Sequence, residues 1–430
     1  MTKVVIIGAG SGFGGKLSRD VLALPSLPAG TVIGLCDLSA DKLELVARYV
    51  RRIIAGHGLD AKVEASTDRR TLLAGADFVV TSISVGGPAY AGFPFTTEIN
   101  LPFQKYGLTQ SIADTIGVGG VFRFLRTAPE QLAICRDMEQ LCPNALLLNY
   151  TNPMAMLTWL HSTGSKIANV GLCHSVQHTL SELSGYLGVP KSEVTFEVAG
   201  INHQAWFLTL RHGEEDLYPR LRACLDDPET LNKDRVRFEM MRHFDYFVTE
   251  SSRHCSEYHP YFRRTEELLE RYGLEPWIAS DVEGVRWKPE ADDAPLPSLE
   301  RSEEYAAEII QARVTGKPFV FYGNVLNTGL IDNLPDGCCV EVPCLADGTG
   351  LHPCHTGALP VQLAHLNLSN IAVQDLAVQA VLKRDRRLAF QACALDPLTR
   401  AVLSLEDTQA LFDEIWAAES EAGLLDHFRA

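Results

Sequence analysis

The chain has 430 residues, of which 46% are hydrophobic and 21% charged, and a formal net charge of −16. That length exceeds one ordinary core and points to two closely packed units, while the acidic balance argues against nucleic acid, whose phosphates need a surplus of Lys and Arg. No apolar run approaches the roughly 20 residues that span a bilayer, the start lacks the build of a signal peptide, and the eleven cysteines read mostly as reduced, buried thiols, so a cytoplasmic protein with no membrane partner is expected.

Lys3-Val4-Val5-Ile6-Ile7 reads as a buried parallel strand. It runs into Gly8-Ala9-Gly10-Ser11-Gly12-Phe13-Gly14-Gly15, and a helix pattern with Leu17, Val21 and Leu22 on one face follows. Strand, glycine turn and helix is the setting of a dinucleotide fingerprint. Its glycines let the backbone approach a pyrophosphate, and the helix N-terminus supplies N–H groups. Counted from Gly8, the third glycine position is Phe13; counted from Gly10, the set is Gly10, Gly12 and Gly15. The next strand, Thr31–Cys36, ends in Asp37, an acid placed to accept from a ribose 2′-hydroxyl and to repel a 2′-phosphate. NAD rather than NADP is expected on Gly8, Gly10, Ser11, Gly12 and Asp37. A helix over Asp41–Ile54, a short strand over Lys62–Ala65 and a buried strand over Asp77–Ile83 continue the α/β rhythm.

Ser111-Ile112-Ala113-Asp114-Thr115 precedes Gly117-Val118-Gly119-Gly120 and a helix pattern from Val121 to Leu141 with Arg123 and Arg126. The glycines read as a flexible loop with exposed arginines, or as an anion-binding helix start. The strand Ala145–Leu148 ends at Asn149-Tyr150-Thr151-Asn152-Pro153, where Asn152 is a helix cap or a hydrogen-bonding partner for nicotinamide or sugar. Ile167–Leu172 and Phe196–Ile201 lead in the same way to Cys173-His174 and Asn202-His203. Their gap is not a standard zinc spacing, so Cys173 and His203 read as metal ligands or as structural residues. Residues 275–300, with Pro276, Pro289, Pro295 and Pro297, read as a surface loop. A helix is expected over Arg301–Thr315, capped by Gly316, and another from about Ile371. Cys338, Cys339, Cys344, Cys354, His352 and His355 do not have the spacing of a structural zinc site.

Together the motifs Ile112-Ala113-Asp114-Thr115, Asn149–Met154, Gly171-Leu172-Cys173-His174-Ser175-Val176, Gly200-Ile201-Asn202-His203, Phe247–Ser252 and Tyr322-Gly323-Asn324 resemble glycoside hydrolase family 4, nearly end to end. Cys173-His174-Ser175-Val176 resembles its α-galactosidase subgroup. The resemblance implies a Rossmann-like doubly wound parallel sheet over residues 1–200, then an α+β substrate and oligomerisation domain over 201–430, in a homodimer or homotetramer. It implies NAD- and Mn2+-dependent chemistry, an exception to the two-carboxylate route of most glycosidases. NAD takes a hydride from C3 of the sugar, a base removes the acidified C2 proton, and the aglycone leaves from C1. Water then adds and the hydride returns. Terminal α-galactosides are the implied substrate, with α-galacturonides, α-glucuronides or α-glucosides as the alternative and a plain NAD-dependent dehydrogenase as a rival. By resemblance Cys173 and His203 hold the metal, and His174 is the leaving-group acid. Asn152, Asp114 and Asn149 bind substrate, Asn152 also serving the cofactor. Tyr246 or Glu250 is the base, expected on one helical face four residues apart, and Tyr258 is a third option.

Overall fold

A computed structural model of the chain describes residues 2–88, 90–276 and 295–429. Six parallel strands come first: β1 (Lys3–Ile7), β2 (Thr31–Cys36), β3 (Ala61–Ser66), β4 (Phe78–Thr81), β5 (Leu146–Asn149) and β6 (Asn169–Gly171). Their spatial order is 6-5-4-1-2-3, the doubly wound arrangement. β2, β4 and β5 are buried along their whole length, because helices cover both faces, which is why they read as near-continuous apolar runs with a polar side chain only at one end. β3, at the sheet edge, is half-buried.

The remaining strands extend this same sheet. They are β7 (Val194–Ile201), β8 (Gln204–His212), β9 (Glu215–Asp216), β10 (Phe247–Val248), β11 (Phe319–Leu326), β12 (Cys339–Ala346) and β13 (Leu351–Pro353). β11 runs antiparallel to β6, with Asn324 opposite Gly171, and pairs with β12 from Phe319↔Ala346 to Leu326↔Cys339. β12 meets β7 where Glu341 faces Gly200. The result is one sheet of thirteen strands, parallel in one half and antiparallel in the other. A boundary at residue 200 falls inside β7, and the sheet runs unbroken past it.

Three local expectations are corrected. Gly117, Gly119 and Gly120 are no loop but the buried first turn of the helix Gly117–Leu141. A Cβ on Gly119 would lie 2.7 Å from Ala113 Cβ, and one on Gly120 2.9 Å from the Thr115 carbonyl carbon, so these glycines let the helix press against residues 113–115. Arg123 and Arg126 on that helix are buried, and Arg126 is paired with the buried Glu98 at 2.7 and 3.1 Å. The helix expected from Ile371 begins at Val361 instead. Its first turns carry Asn367 and Asn370, which are buried because both donate to Gln204, and they break the apolar period there.

Helix Tyr305–Thr315 ends at Gly316 in a left-handed cap. Of the proline-rich stretch 275–300, residues 277–294, Pro289 among them, lie outside the described residues. Cys338, Cys339 and Cys344 are core residues, whereas His352, Cys354 and His355 are exposed, with His352 paired to Asp347 and His355 to Asp332.

Candidate active site

β1 ends in a turn that only glycine fits. Gly8 has φ +89°, and a Cβ there would lie 2.0 Å from Ser82 O. A Cβ on Gly14 would lie 1.9 Å from Ala9 O, so Gly14 supplies the close approach of helix Gly12–Leu22 to the turn. The glycines with structural work are thus Gly8, Gly10 and Gly14. The third sits one residue beyond the standard fingerprint, and Phe13 is no defect in it. Nothing lies within 4 Å of a Cβ placed on Gly12, which leaves that backbone open to a ligand. Ser11 caps the helix, accepting from the Phe13 N–H at 3.3 Å, and no acid occupies the first turn. At the tip of β2 the Asp37 carboxylate accepts from the N–H groups of Gly10 at 2.7 Å and Ser39 at 2.9 Å. An open helix N-terminus beside an acid at the second strand tip fits a dinucleotide.

Cys173 follows β6 by two residues, His203 lies in the β7–β8 turn, and Glu250 follows β10 by two residues. Cys173 Sγ is 3.5 Å from His203 Nε2, and His203 Nε2 is 3.5 Å from a Glu250 carboxylate oxygen. All three donor atoms lie within 4.8 Å of one another, the single such group of three found among the described residues. Ala113, His203 and Glu250 have φ of +46°, +62° and +71°, so three left-handed non-glycine residues frame the site. Burial would raise the Glu250 carboxyl, but His203, His254 and His174 outweigh it and bring it down to about 2. Burial, reinforced by Glu341 and Glu250, pushes the Cys173 thiol well up. A coordinated cation reverses that preference, since it deprotonates a thiol ligand. A thiolate, an imidazole and a carboxylate so placed suit a divalent cation.

Asn152 donates to Asp114 Oδ2 at 2.8 Å, and the Tyr90 hydroxyl donates to the same oxygen at 2.8 Å. Pro153, not Asn152, occupies the cap of helix Met154–Gly164. Burial opposes ionisation of Asp114, yet His254, Arg123 and His203 hold its carboxyl below the usual range. Asp114 Oδ1 and His254 Nδ1 lie 3.8 Å apart, and both are buried without a hydrogen-bond partner, as is Glu341 Oε2. Buried polar atoms are seldom left so unless a ligand meets them. Asn149 turns the other way: its amide oxygen accepts from Thr81 Oγ1 at 2.9 Å and the Thr151 N–H at 3.0 Å, and its nitrogen donates to Thr151 O. It shapes the strand-end turn from inside.

His174 caps helix Ser175–Leu187, with 41% of its side chain exposed and Nδ1 3.9 Å from Glu304 Oε1. Partial burial holds its imidazole below the ordinary range, against the pull of Glu304 and Glu250. Tyr246 does not join the group. Residues 245–250 form no helix, so it shares no face with Glu250; its ring lies edge-on to Tyr218, at 5.9 Å, in a surface depression lined by Leu208, Arg211 and Arg222. Tyr258 is fully buried, with its ring 6.2 Å from that of His203.

The family model "Family 4 glycosyl hydrolase" matches residues 3–189, and "Family 4 glycosyl hydrolase C-terminal domain" matches residues 198–399. The chain belongs to glycoside hydrolase family 4. It is 40% identical to an α-galactosidase of Bacillus subtilis (strain 168), over 98% of this chain and 99% of that one. It is 33% identical to an α-galactosidase of Rhizobium meliloti (strain 1021), over 97% and 88% of the two chains. Its fold matches that of a 6-phospho-β-glucosidase of Thermotoga maritima solved with manganese, NAD+ and glucose-6-phosphate, with a TM-score of 0.75 at 22% identity over 98% of this chain and 99% of that one.

Two residues of this family-4 site have roles not read from the sequence. Glu257 Oε1 accepts the N–H groups of Ser111, Ile112 and Ala113 at 2.6, 3.1 and 3.1 Å, and so fixes the loop that presents Asp114. An acid among aromatics was its faint signal. Glu341 lies at the centre of β12, where burial pushes its carboxyl up to about 7. Its signal was clearer: a lone acid between Val340 and Val342 in a strand-like run.

Proposed function

We propose that this chain hydrolyses terminal α-galactosides by an oxidation–elimination sequence that requires NAD and Mn2+ and consumes neither. The reading rests on one observation: the Cys173–His203–Glu250 group and the glycine turn lie beyond the strand ends of one sheet. The sugar is taken from the two α-galactosidase relatives. When bound, NAD supplies a reversible hydride acceptor for C3 and the cation a Lewis acid for the neighbouring sugar oxygens.

The chain's own residues bind, orient and move protons. Gly8, Gly10, Ser11 and Gly12 seat the pyrophosphate, and Asp37 selects the unphosphorylated ribose. Cys173 and His203 hold the cation. Asn152 and Asp114 bind the sugar, and Asn152 would also hold the nicotinamide. Tyr258, beside His203, takes the C2 proton as the C1–O bond breaks. His174, half exposed where the aglycone departs, gives its proton to the leaving oxygen. Water adds at C1, and the dinucleotide, when bound, would supply the hydride that restores C3.

All cysteines are free thiols, which supports a reducing compartment, and we place the protein in the cytoplasm. No helix among the described residues is long and apolar enough to cross a membrane. Assembly is read as a homodimer or homotetramer, which light scattering measures.

The test is p-nitrophenyl α-galactoside with catalytic NAD and Mn2+, under reducing conditions, in D2O. Nitrophenol release without NADH build-up and with deuterium at C2 of the product is the expected result. Stoichiometric NADH sinks the hydrolase reading in favour of a dehydrogenase. Turnover after removal of metal and NAD sinks the whole sequence of steps.

A further inference from the structure

We propose that Glu250 is a third protein ligand of the divalent cation, and not the base that removes the C2 proton. The inference rests on the reading that Cys173 and His203 hold such a cation. Bonds of about 2.0–2.3 Å meeting at roughly 90–110° set neighbouring donor atoms about 2.8–3.8 Å apart. The separations of 3.5 Å from His203 Nε2 to Cys173 Sγ and 3.5 Å to the Glu250 carboxylate both fall in that range. His203 Nδ1 faces Thr115 Oγ1 at 3.4 Å, which turns Nε2 toward the other two donors. One ring nitrogen has one N–H or one lone pair. Shared between a thiol and a carboxylate it makes two long, weak contacts, whereas one cation meets all three donor atoms.

Backbone geometry holds Glu250 there. Its φ is +71°, and its N–H donates to Thr179 Oγ1 at 3.1 Å. Its other carboxylate oxygen is 4.0 Å from His254 Nε2. A left-handed conformation in a glutamate carries a cost that the surrounding structure must offset, and it fixes where the carboxylate points. The chemistry agrees. A thiolate and an imidazole alone favour softer ions, and a carboxylate oxygen moves the site toward Mn2+.

The experiment needs neither sugar nor NAD. Metal-stripped full-length protein is titrated with Mn2+, and free Mn2+ is read by electron paramagnetic resonance. The parent is expected to bind one ion per chain. Glu250→Gln is expected to raise the Mn2+ dissociation constant at least tenfold and to weaken Mn2+ more than Zn2+, because the lost ligand is the hard oxygen. Glu250→Asp, which withdraws the carboxylate by one methylene, is expected to weaken binding severalfold, and it decides the matter if thermal melting shows the Gln variant unfolded. Parent-like Mn2+ affinity in a folded Gln variant, or in the Asp variant if Gln does not fold, overturns the ligand assignment and leaves the hydrolase reading intact. A folded parent that binds no Mn2+ overturns the cation reading on which both rest.

Discussion

The Asn152 side-chain amide donates to the Asp114 carboxylate at 2.8 Å, joining the end of β5 to a loop 38 residues earlier in the chain. Asp114 Oδ1 is left without a partner, so the pair presents a carboxylate oxygen to whatever occupies the site. Asp114→Asn replaces an acceptor by an amide and is expected to lower kcat/KM on an α-galactoside by about 100-fold, roughly 2.7 kcal/mol. Thermal melting within a few degrees of the parent separates this from misfolding. Unchanged kcat/KM would remove Asp114 from the substrate site.

Asp37 holds the glycine turn by accepting from the Gly10 N–H, and it is the residue proposed to meet the ribose. Asp37→Ala is expected to weaken NAD binding about tenfold and to improve NADP relative to NAD, because a 2′-phosphate no longer meets a carboxylate. Equilibrium titration with both dinucleotides reads this. An unaltered NAD-to-NADP ratio rejects the ribose contact.

Tyr246 and Tyr258 make a paired control. Tyr246→Phe is expected to leave turnover within twofold, because the residue packs beside Tyr218 at the surface. Tyr258→Phe is expected to lower turnover by 100-fold or more and to abolish C2 hydrogen–deuterium exchange in D2O, the range typical of losing a general base. Exchange that survives in Tyr258→Phe refutes its role as base.

His161 is fully buried, with Nε2 3.0 Å from Gln131 Oε1, and burial brings its imidazole down to about 3. Below pH 6.5 the unfolded chain binds a proton here that the native state refuses. Stability is therefore complete above pH 6.5 and falls as pH drops toward 3, by about 1.4 kcal/mol per pH unit from this one residue. His161→Gln removes the titration, so its urea midpoint is expected to fall less steeply than the parent's between pH 6 and 4. Parallel profiles count against the assignment.

The parallel half of the sheet was legible because strands buried on both faces are near-continuous apolar runs, and β1, β2, β4 and β5 carry a polar side chain only at an end. β12 was hidden by its own composition. Cys338, Cys339 and Cys344 lack the spacing of zinc ligands, yet as buried thiols that behave like small hydrophobes they do not mark a strand either. Gly117–Gly120 misled because glycine marks both a breaker and a close contact, and only the neighbouring Ala113 and Thr115 reveal which. The Tyr246–Glu250 pairing assumed a helical period where the chain makes a two-residue strand and a left-handed turn at Glu250. Cys173 and His203 were visible as positions at strand ends. Their approach to 3.5 Å belongs to the pairing of β11 and β12 between β6 and β7, which no local pattern encodes.

The crossover from parallel to antiparallel pairing at Gly171 and Asn324 makes the two halves of the chain dependent on one another. Cut between β6 and β7, the N-terminal piece would carry the glycine turn and Cys173 but not His203, and β6 would become a raw edge with unsatisfied N–H and C=O groups, open to pairing between molecules. A cut there therefore parts the glycine turn and Cys173 from His203 and Glu250, so neither piece keeps the whole group.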